Sequence, residues 1–117
     1  MATLDDAHRI ASALPEATSD PGGFAYRVEG RLFTWIWMER IQPKRARVPN
    51  REVIAIRVAD DSEKQAMLAL DSAVFFTEPH YDGYPAVLIR LPAIDEALLE
   101  KVIGDAWRLR APRRLTA

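Results

Sequence analysis

Aromatic and basic residues adjoin in one segment of the chain, and together they could bind nucleic acid. Phe33, Trp35 and Trp37 recur at alternate positions of a predicted strand, so all three would lie on one of its faces. The strand leads into a polar loop over 39–51, whose cations are Arg40, Lys44, Arg45, Arg47 and Arg51. Aromatic rings stack on unpaired bases and cations pair with phosphates. We therefore expect the loop to contact the phosphates of DNA or RNA, with Trp35 and Trp37 as stacking or wedge groups.

The same aromatic face allows a second interpretation. Aromatic side chains are also enriched where proteins contact one another. Under this hypothesis the chain is a dimerising, chaperone-like interaction module. Trp35 and Trp37 then form a hydrophobic contact, and the arginines lie on a solvated loop. The sequence is compatible with a monomer or a homodimer.

Charge is unevenly distributed along the chain. The net charge is −1, which argues against strong nonspecific binding to nucleic acid by the whole molecule. Two basic segments nevertheless interrupt an acidic chain, one over 40–57 and one over 106–117. We expect the second segment to extend the nucleic-acid surface if folding brings it alongside, through Arg108, Arg110, Arg113 and Arg114.

One polar loop could serve other chemistry. His80, Tyr81 and Tyr84 could line a small-molecule pocket. Glu78, His80 and Asp82 alternate in the same loop, but three groups without a fourth ligand are a weak zinc signal, so no metal is predicted. Nucleophile-elbow and phosphate-loop motifs are missing from the sequence, and the paired carboxylates stand where helices begin. We predict neither an enzyme nor a cofactor.

Length and composition indicate one globular domain over 1–117. The chain has 117 residues, of which 49% are hydrophobic and none is cysteine. No apolar run approaches the roughly 18 residues of a membrane-spanning helix, and the acidic start of the sequence is unlike a signal peptide. The sequence therefore favours a cytoplasmic protein without a membrane segment.

The predicted elements follow the order α-β-β-β-α-β-β-α. Periodicity and capping residues predict a helix over 3–14 and a last helix from Asp95 to Pro112. Between them a short helix is predicted to begin at Asp60, with Glu63, Ala66, Met67 and Leu70 on one side. Alternation predicts five strands, at Phe24–Val28, Arg31–Met38, Glu52–Val58, Val74–Phe76 and Tyr84–Leu91. This order favours an α+β two-layer sandwich, in which helices cover one face of a five-stranded antiparallel meander. The other face would be open for contacts.

Several short stretches resemble the MmcQ/YjbR family, small bacterial proteins often labelled DNA-binding. These stretches are Leu14–Thr18, Val28–Phe33, Phe75–Tyr81, Tyr84–Leu91 and Ala111–Leu115. At 81–84 the chain has Tyr-Asp-Gly-Tyr near the place of the family's histidine–asparagine–lysine stretch, which indicates a divergent branch. The resemblance implies a two-layer α+β fold with a five-stranded antiparallel sheet, as in secretion chaperones, and it implies DNA binding.

Overall fold

The computed structural model describes residues 1–116 and shows one antiparallel sheet with helices against it. Two short 3₁₀ turns, Pro79–Tyr81 and Leu91–Ala93, flank the last strand. The strands are β1 (Ala17–Ser19), β2 (Ala25–Val28), β3 (Arg31–Glu39), β4 (Val48–Arg57), β5 (Phe75–Phe76) and β6 (Ala86–Arg90). The helices are α1 (Leu4–Ser12), α2 (Asp61–Leu70), α3 (Glu96–Arg110) and α4 (Arg113–Thr116).

The sheet has six strands rather than the predicted five. The additional strand is β1, which was predicted as a loop because its sequence, Ala-Thr-Ser, has no apolar alternation. Its pairing comes from β2, with Ala17 opposite Val28. Because β1 is an edge strand, only backbone hydrogen bonds to β2 hold it in the sheet. Such a strand needs no apolar pattern of its own, so the composition of the segment does not predict it.

The strand order β1-β2-β3-β4-β6-β5 also corrects the predicted meander. After β4 the chain passes through α2 to the far edge, forms β5 there, and returns as β6 between β5 and β4. The expected α+β class and antiparallel pairing are confirmed.

Local sequence signals account for where the helices and one hairpin begin. The Thr3 hydroxyl accepts a hydrogen bond from the backbone of Asp6, and the Asp6 carboxylate accepts one from the backbone of Thr3. Asp60 and Asp95 cap α2 and α3 with one bond each, which their carboxylates accept from the backbone N–H of Glu63 and of Leu98. Glu29 and Gly30 form the β2–β3 turn with φ of 48° and 76°, the left-handed pair that a two-residue hairpin requires.

Apolar side chains lie on both faces of the central strands. Helices α1 and α3 cover one face, where Ile54 and Ile56 of β4 are buried with Val87 and Ile89 of β6. The opposite face, called here the open face, has a smaller buried cluster of Val53, Ala55, Tyr81, Ala86 and Leu88. The central strands are therefore apolar on both sides, although helices α1 and α3 cover only one of them.

Phe33 does not share a face with the two tryptophans, which corrects the predicted row of three. The register between β2 and β3 shifts there, because Tyr26 pairs with Thr34 while Arg27 pairs with Leu32. Phe33 is the extra residue of this bulge, and its ring is fully buried in the helix-covered core.

Candidate nucleic-acid interface

Two tryptophans of β3 lie half-buried on the open face. The Trp35 indole N–H donates to the hydroxyl of Tyr81 at 3.0 Å, and its ring meets the edge of Tyr84 with centroids 6.2 Å apart. Trp37 packs edge-to-face on Phe76 at 5.7 Å. Both indoles therefore form part of an aromatic layer while keeping some exposed area.

A buried lysine holds the loop that closes this layer. Lys64 is 3% exposed, and its ammonium donates to the carbonyl oxygens of Tyr81 at 2.6 Å and Tyr84 at 2.9 Å. Burial raises the pKa of the Tyr81 phenol, and the hydrogen bond from Trp35 opposes that rise. The arrangement fixes the tyrosines against the sheet.

The side of α2 that the sequence predicted to pack inward does not include this lysine. Met67 is half-buried, whereas Ala66 is exposed and Leu70 is 66% exposed. Lys64 turns inward because two backbone carbonyls of another loop converge on its ammonium. A lysine in a short helix gives no local signal of such an environment.

The residues predicted to line a small-molecule pocket do lie together. His80, Tyr81 and Tyr84 join Leu32 and Trp35 around an open cleft of about 300 Å³. The Glu78 carboxylate accepts a hydrogen bond from the backbone of His80, which caps the 3₁₀ turn. Within residues 1–116 no group of histidine and carboxylate side chains is close enough to hold a metal ion.

The predicted basic loop is the tip of the β3–β4 hairpin, and its cations have different roles. The guanidinium of Arg40 donates to the carbonyls of Pro43 and Arg45, and that of Arg47 donates to Met38 at 2.9 Å. These two arginines therefore shape the tip. Lys44 and Arg45 are exposed at the tip itself.

Strand β4 begins at Val48, earlier than the predicted Glu52, and it therefore includes Arg51, which was predicted to lie in the basic loop. Val48, Pro49 and Asn50 pair with the end of β3, so Arg51 lies within a strand rather than in a loop. The register shifts again between Ile36 and Trp37.

The cations of the C-terminal segment do not extend the hairpin surface. Arg114 pairs with the carboxylates of Glu16 at 2.6 Å and Glu29 at 2.8 Å, which ties the tail to the β2–β3 turn. Arg113 is exposed on α4. The β2–β3 turn and the hairpin tip lie at opposite ends of β3, eight residue steps or about 26 Å apart. Arg110 lies at the turn end, with Arg31 and Arg57 as its charged neighbours.

These features define a class of small α+β proteins in which one antiparallel sheet has a helix-covered face and an open aromatic face. The YjbR family model matches residues 12–109. The chain belongs to the YjbR family, as the sequence resemblance predicted.

Relatives of the chain occur in mycobacteria. An uncharacterized protein of Mycobacterium bovis is 38% identical over 121 residues, which cover 98% of this chain and 93% of the relative. An uncharacterized protein of Mycobacterium tuberculosis matches with the same identity and coverage. No solved structure matches the chain significantly. Among residues 1–116 no helix is both long enough and apolar enough to span a bilayer.

Proposed function

We propose that this protein is a non-enzymatic, cytoplasmic nucleic-acid-binding protein that takes single-stranded DNA or RNA on its open face. The observation that carries the proposal is the continuity of β3: Trp35 and Trp37 lie half-buried on the open face, and the same strand runs into the basic hairpin tip. Rings would stack on bases while the tip contacts phosphates.

The electrostatics of the open face agree with this use. Burial raises the pKa of the Tyr81 phenol, and the positive charge of Arg47 is among the smaller influences that oppose that rise, so a cation of the hairpin acts on the aromatic layer. Lys44 and Arg45 are exposed beyond it and form no ion pair among the described residues. A strand lying along Trp35 and Trp37 would meet these cations at its backbone.

The test is fluorescence anisotropy with labelled single-stranded DNA and RNA over a range of salt concentrations. The variant Lys44→Ala plus Arg45→Ala removes two phosphate contacts without touching Arg47, which is bonded to the hairpin backbone. We expect weaker binding and a plot of log affinity against log salt that is shallower by about 1.4.

The matched control is Lys101→Ala plus Arg108→Ala on the outer surface of α3. Each double variant removes two positive charges. Lys101 and Arg108 both pair with Asp105 on α3, which lies on the helix-covered side of the sheet and not on the open face. Equal loss of affinity in both double variants would show that binding depends on the net charge of the protein and not on the hairpin tip. No binding of the unmodified protein at low salt would overturn the proposal.

A second candidate function, protein contact through the hairpin tip, has its own observation. Ile41 is 68% exposed, and Val48, which lines the same surface groove, is 41% exposed. Exposed apolar side chains of this kind are typical of protein interfaces. Light scattering should then show a dimer that Ile41→Asp converts to a monomer; a monomeric unmodified protein would leave self-association without support.

A further inference from the structure

A second cleft lies on the open face, beside Trp37, and shares no lining residue with the cleft around His80. Its volume is about 510 Å³. Two aromatic rings form one wall, those of Trp37 and Phe76, which meet edge-to-face with their centroids 5.7 Å apart. The polar side chains that line the cleft are those of Glu39, Asn50, Glu52 and Arg90.

The strand pairing places these side chains on one face of the sheet. Trp37 and Glu39 are two residues apart in β3, so they point the same way, and Asn50 of β4 lies directly opposite Trp37. Val53 of β4 belongs to the buried cluster of the open face and lies opposite Arg90 of β6. Glu39 therefore enters the cleft from β3 and Arg90 from β6, with β4 between them.

The carboxylates of this cleft have no cationic partner within residues 1–116. Neither Glu39 nor Glu52 forms an ion pair there. Glu39 is half-buried, and its Oε1 accepts a hydrogen bond from the side-chain amide of Asn50 at 2.9 Å, which orients it. A carboxylate has about four acceptor sites, so one bond leaves room for a ligand. Negative charges beside Trp37 repel phosphate, so they suit the edge of a base and not the backbone of a strand.

Arg90 supplies donors at the other side of the cleft. Its guanidinium carbon is 3.9 Å from the centre of the Phe76 ring, and one of its nitrogens donates to the carbonyl of Ser72 at 3.2 Å. A guanidinium has several N–H donors in one plane, so others remain for a ligand. Its positive charge also disfavours an organic cation, which carboxylates beside aromatic rings would otherwise attract.

The exposed part of Trp37 offers a flat surface and no hydrogen bond. The ring is half-buried, whereas its Nε1 atom is buried and has no hydrogen-bond partner among residues 1–116. The exposed area is therefore carbon, on which a planar ring can stack. The cleft thus combines acceptors, donors and an apolar surface.

We propose that this cleft binds a guanine base, an inference that rests on the proposed nucleic-acid function. Guanine has two adjacent donors, N1–H and the N2 amino group, which match the carboxylate of Glu39, and its O6 and N7 acceptors match the guanidinium of Arg90. Adenine, cytosine and thymine each have an acceptor beside the donor on the same edge, which a carboxylate repels. A strand stacked along the open face would therefore bind best with guanine at Trp37.

Fluorescence anisotropy with three labelled strands tests the preference. Each strand is an oligothymidylate whose central base is guanine, hypoxanthine or thymine. Hypoxanthine keeps N1–H, O6 and N7 of guanine but lacks the N2 amino group. We expect the guanine strand to bind about tenfold or more tightly than the other two, because a hydrogen bond to a charged acceptor is lost in each.

Glu39→Gln separates base recognition from general electrostatics. The substitution keeps the shape of the side chain but removes its negative charge. The thymine strand should bind equally well or more tightly, because repulsion of its phosphates falls, whereas the preference for guanine should decrease by about tenfold. Glu100→Gln is the control, since this exposed residue of α3 lies on the helix-covered side and its loss removes the same charge. It should keep the preference for guanine.

Free guanosine tests the cleft without a phosphate backbone, with inosine as its partner lacking the amino group. If saturation-transfer NMR shows that guanosine binds more tightly than inosine while no strand binds, the guanine cleft is supported and the nucleic-acid proposal fails. If all three strands bind equally, or if Glu39→Gln keeps the preference, the guanine cleft is overturned and the nucleic-acid proposal stands. Binding of neither guanosine nor any strand overturns both.

Discussion

Replacing Lys64 by methionine tests whether a buried ammonium holds residues 79–84 against the open face. Methionine is also long and unbranched, so it occupies similar space but has no charge and no donor. The substitution removes the hydrogen bonds to the carbonyls of Tyr81 and Tyr84, at 2.6 and 2.9 Å. We expect the loop to loosen and the protein to become less stable.

The magnitude follows from two opposing contributions. A hydrogen bond with a charged partner contributes about 1.5–3 kcal/mol, so two of them contribute about 3–6 kcal/mol. Burying an ammonium costs several kcal/mol, and that cost disappears with the charge. We expect a net loss of about 2–3 kcal/mol in the free energy of unfolding, as for other broken buried networks. In a domain of this size that loss lowers the melting temperature by about 8–12 °C.

Urea unfolding followed by tryptophan fluorescence measures the loss, and amide hydrogen exchange shows where it occurs. Faster exchange should concentrate at residues 79–84. The control is Lys101→Met on exposed α3, where the pair with Asp105 is solvated and a change within about 0.5 kcal/mol is expected. If Lys64→Met is as stable as the unmodified protein, or if exchange in the loop is unchanged, the reasoning is refuted.

Three further substitutions test the sheet and the tail. Thr34→Val removes the buried hydroxyl that donates to the Ala55 carbonyl at 2.8 Å; urea unfolding should show a loss of about 1 kcal/mol, and an unchanged midpoint would count against it. Phe33→Ala should lower the free energy of unfolding by about 3–5 kcal/mol because the bulge buries the ring. A loss below about 1 kcal/mol would indicate that the Phe33 side chain is exposed. Arg114 lowers the pKa of Glu16, so their pair stabilises the fold above about pH 4.3 and the contribution fades as pH falls through the lowered pKa. The melting-temperature difference between the unmodified protein and Arg114→Ala should shrink in acid; a constant difference would contradict this.

The helix caps and the first hairpin turn were predictable because their causes are local. Thr3, Asp60 and Asp95 each accept a hydrogen bond from a backbone group three residues ahead. Glu29 and Gly30 form their turn from conformational preferences of adjacent residues. Such signals need no knowledge of the rest of the fold.

Features that depend on pairing between distant segments were missed. Strand β1 exists because β2 offers it a partner, and Phe33 changes face because the β2–β3 register shifts by one residue. Lys64 is buried because a loop some twenty residues later presents two carbonyl oxygens to it. None of these causes leaves a mark in the local sequence.

The amino-acid order alone determined the α+β class, the capped helices, the family and the aromatic run toward the hairpin. Only the tertiary structure decided which charges interact. Arg110 lies at the end of α3, and its pKa is lowered by burial and by the charges of Arg57 and Arg31. Arg114 pairs with Glu16 and Glu29. The physical reason is range. Caps and turns act within a few residues, whereas the proximity of side chains from different elements depends on strand order and register across the whole sheet.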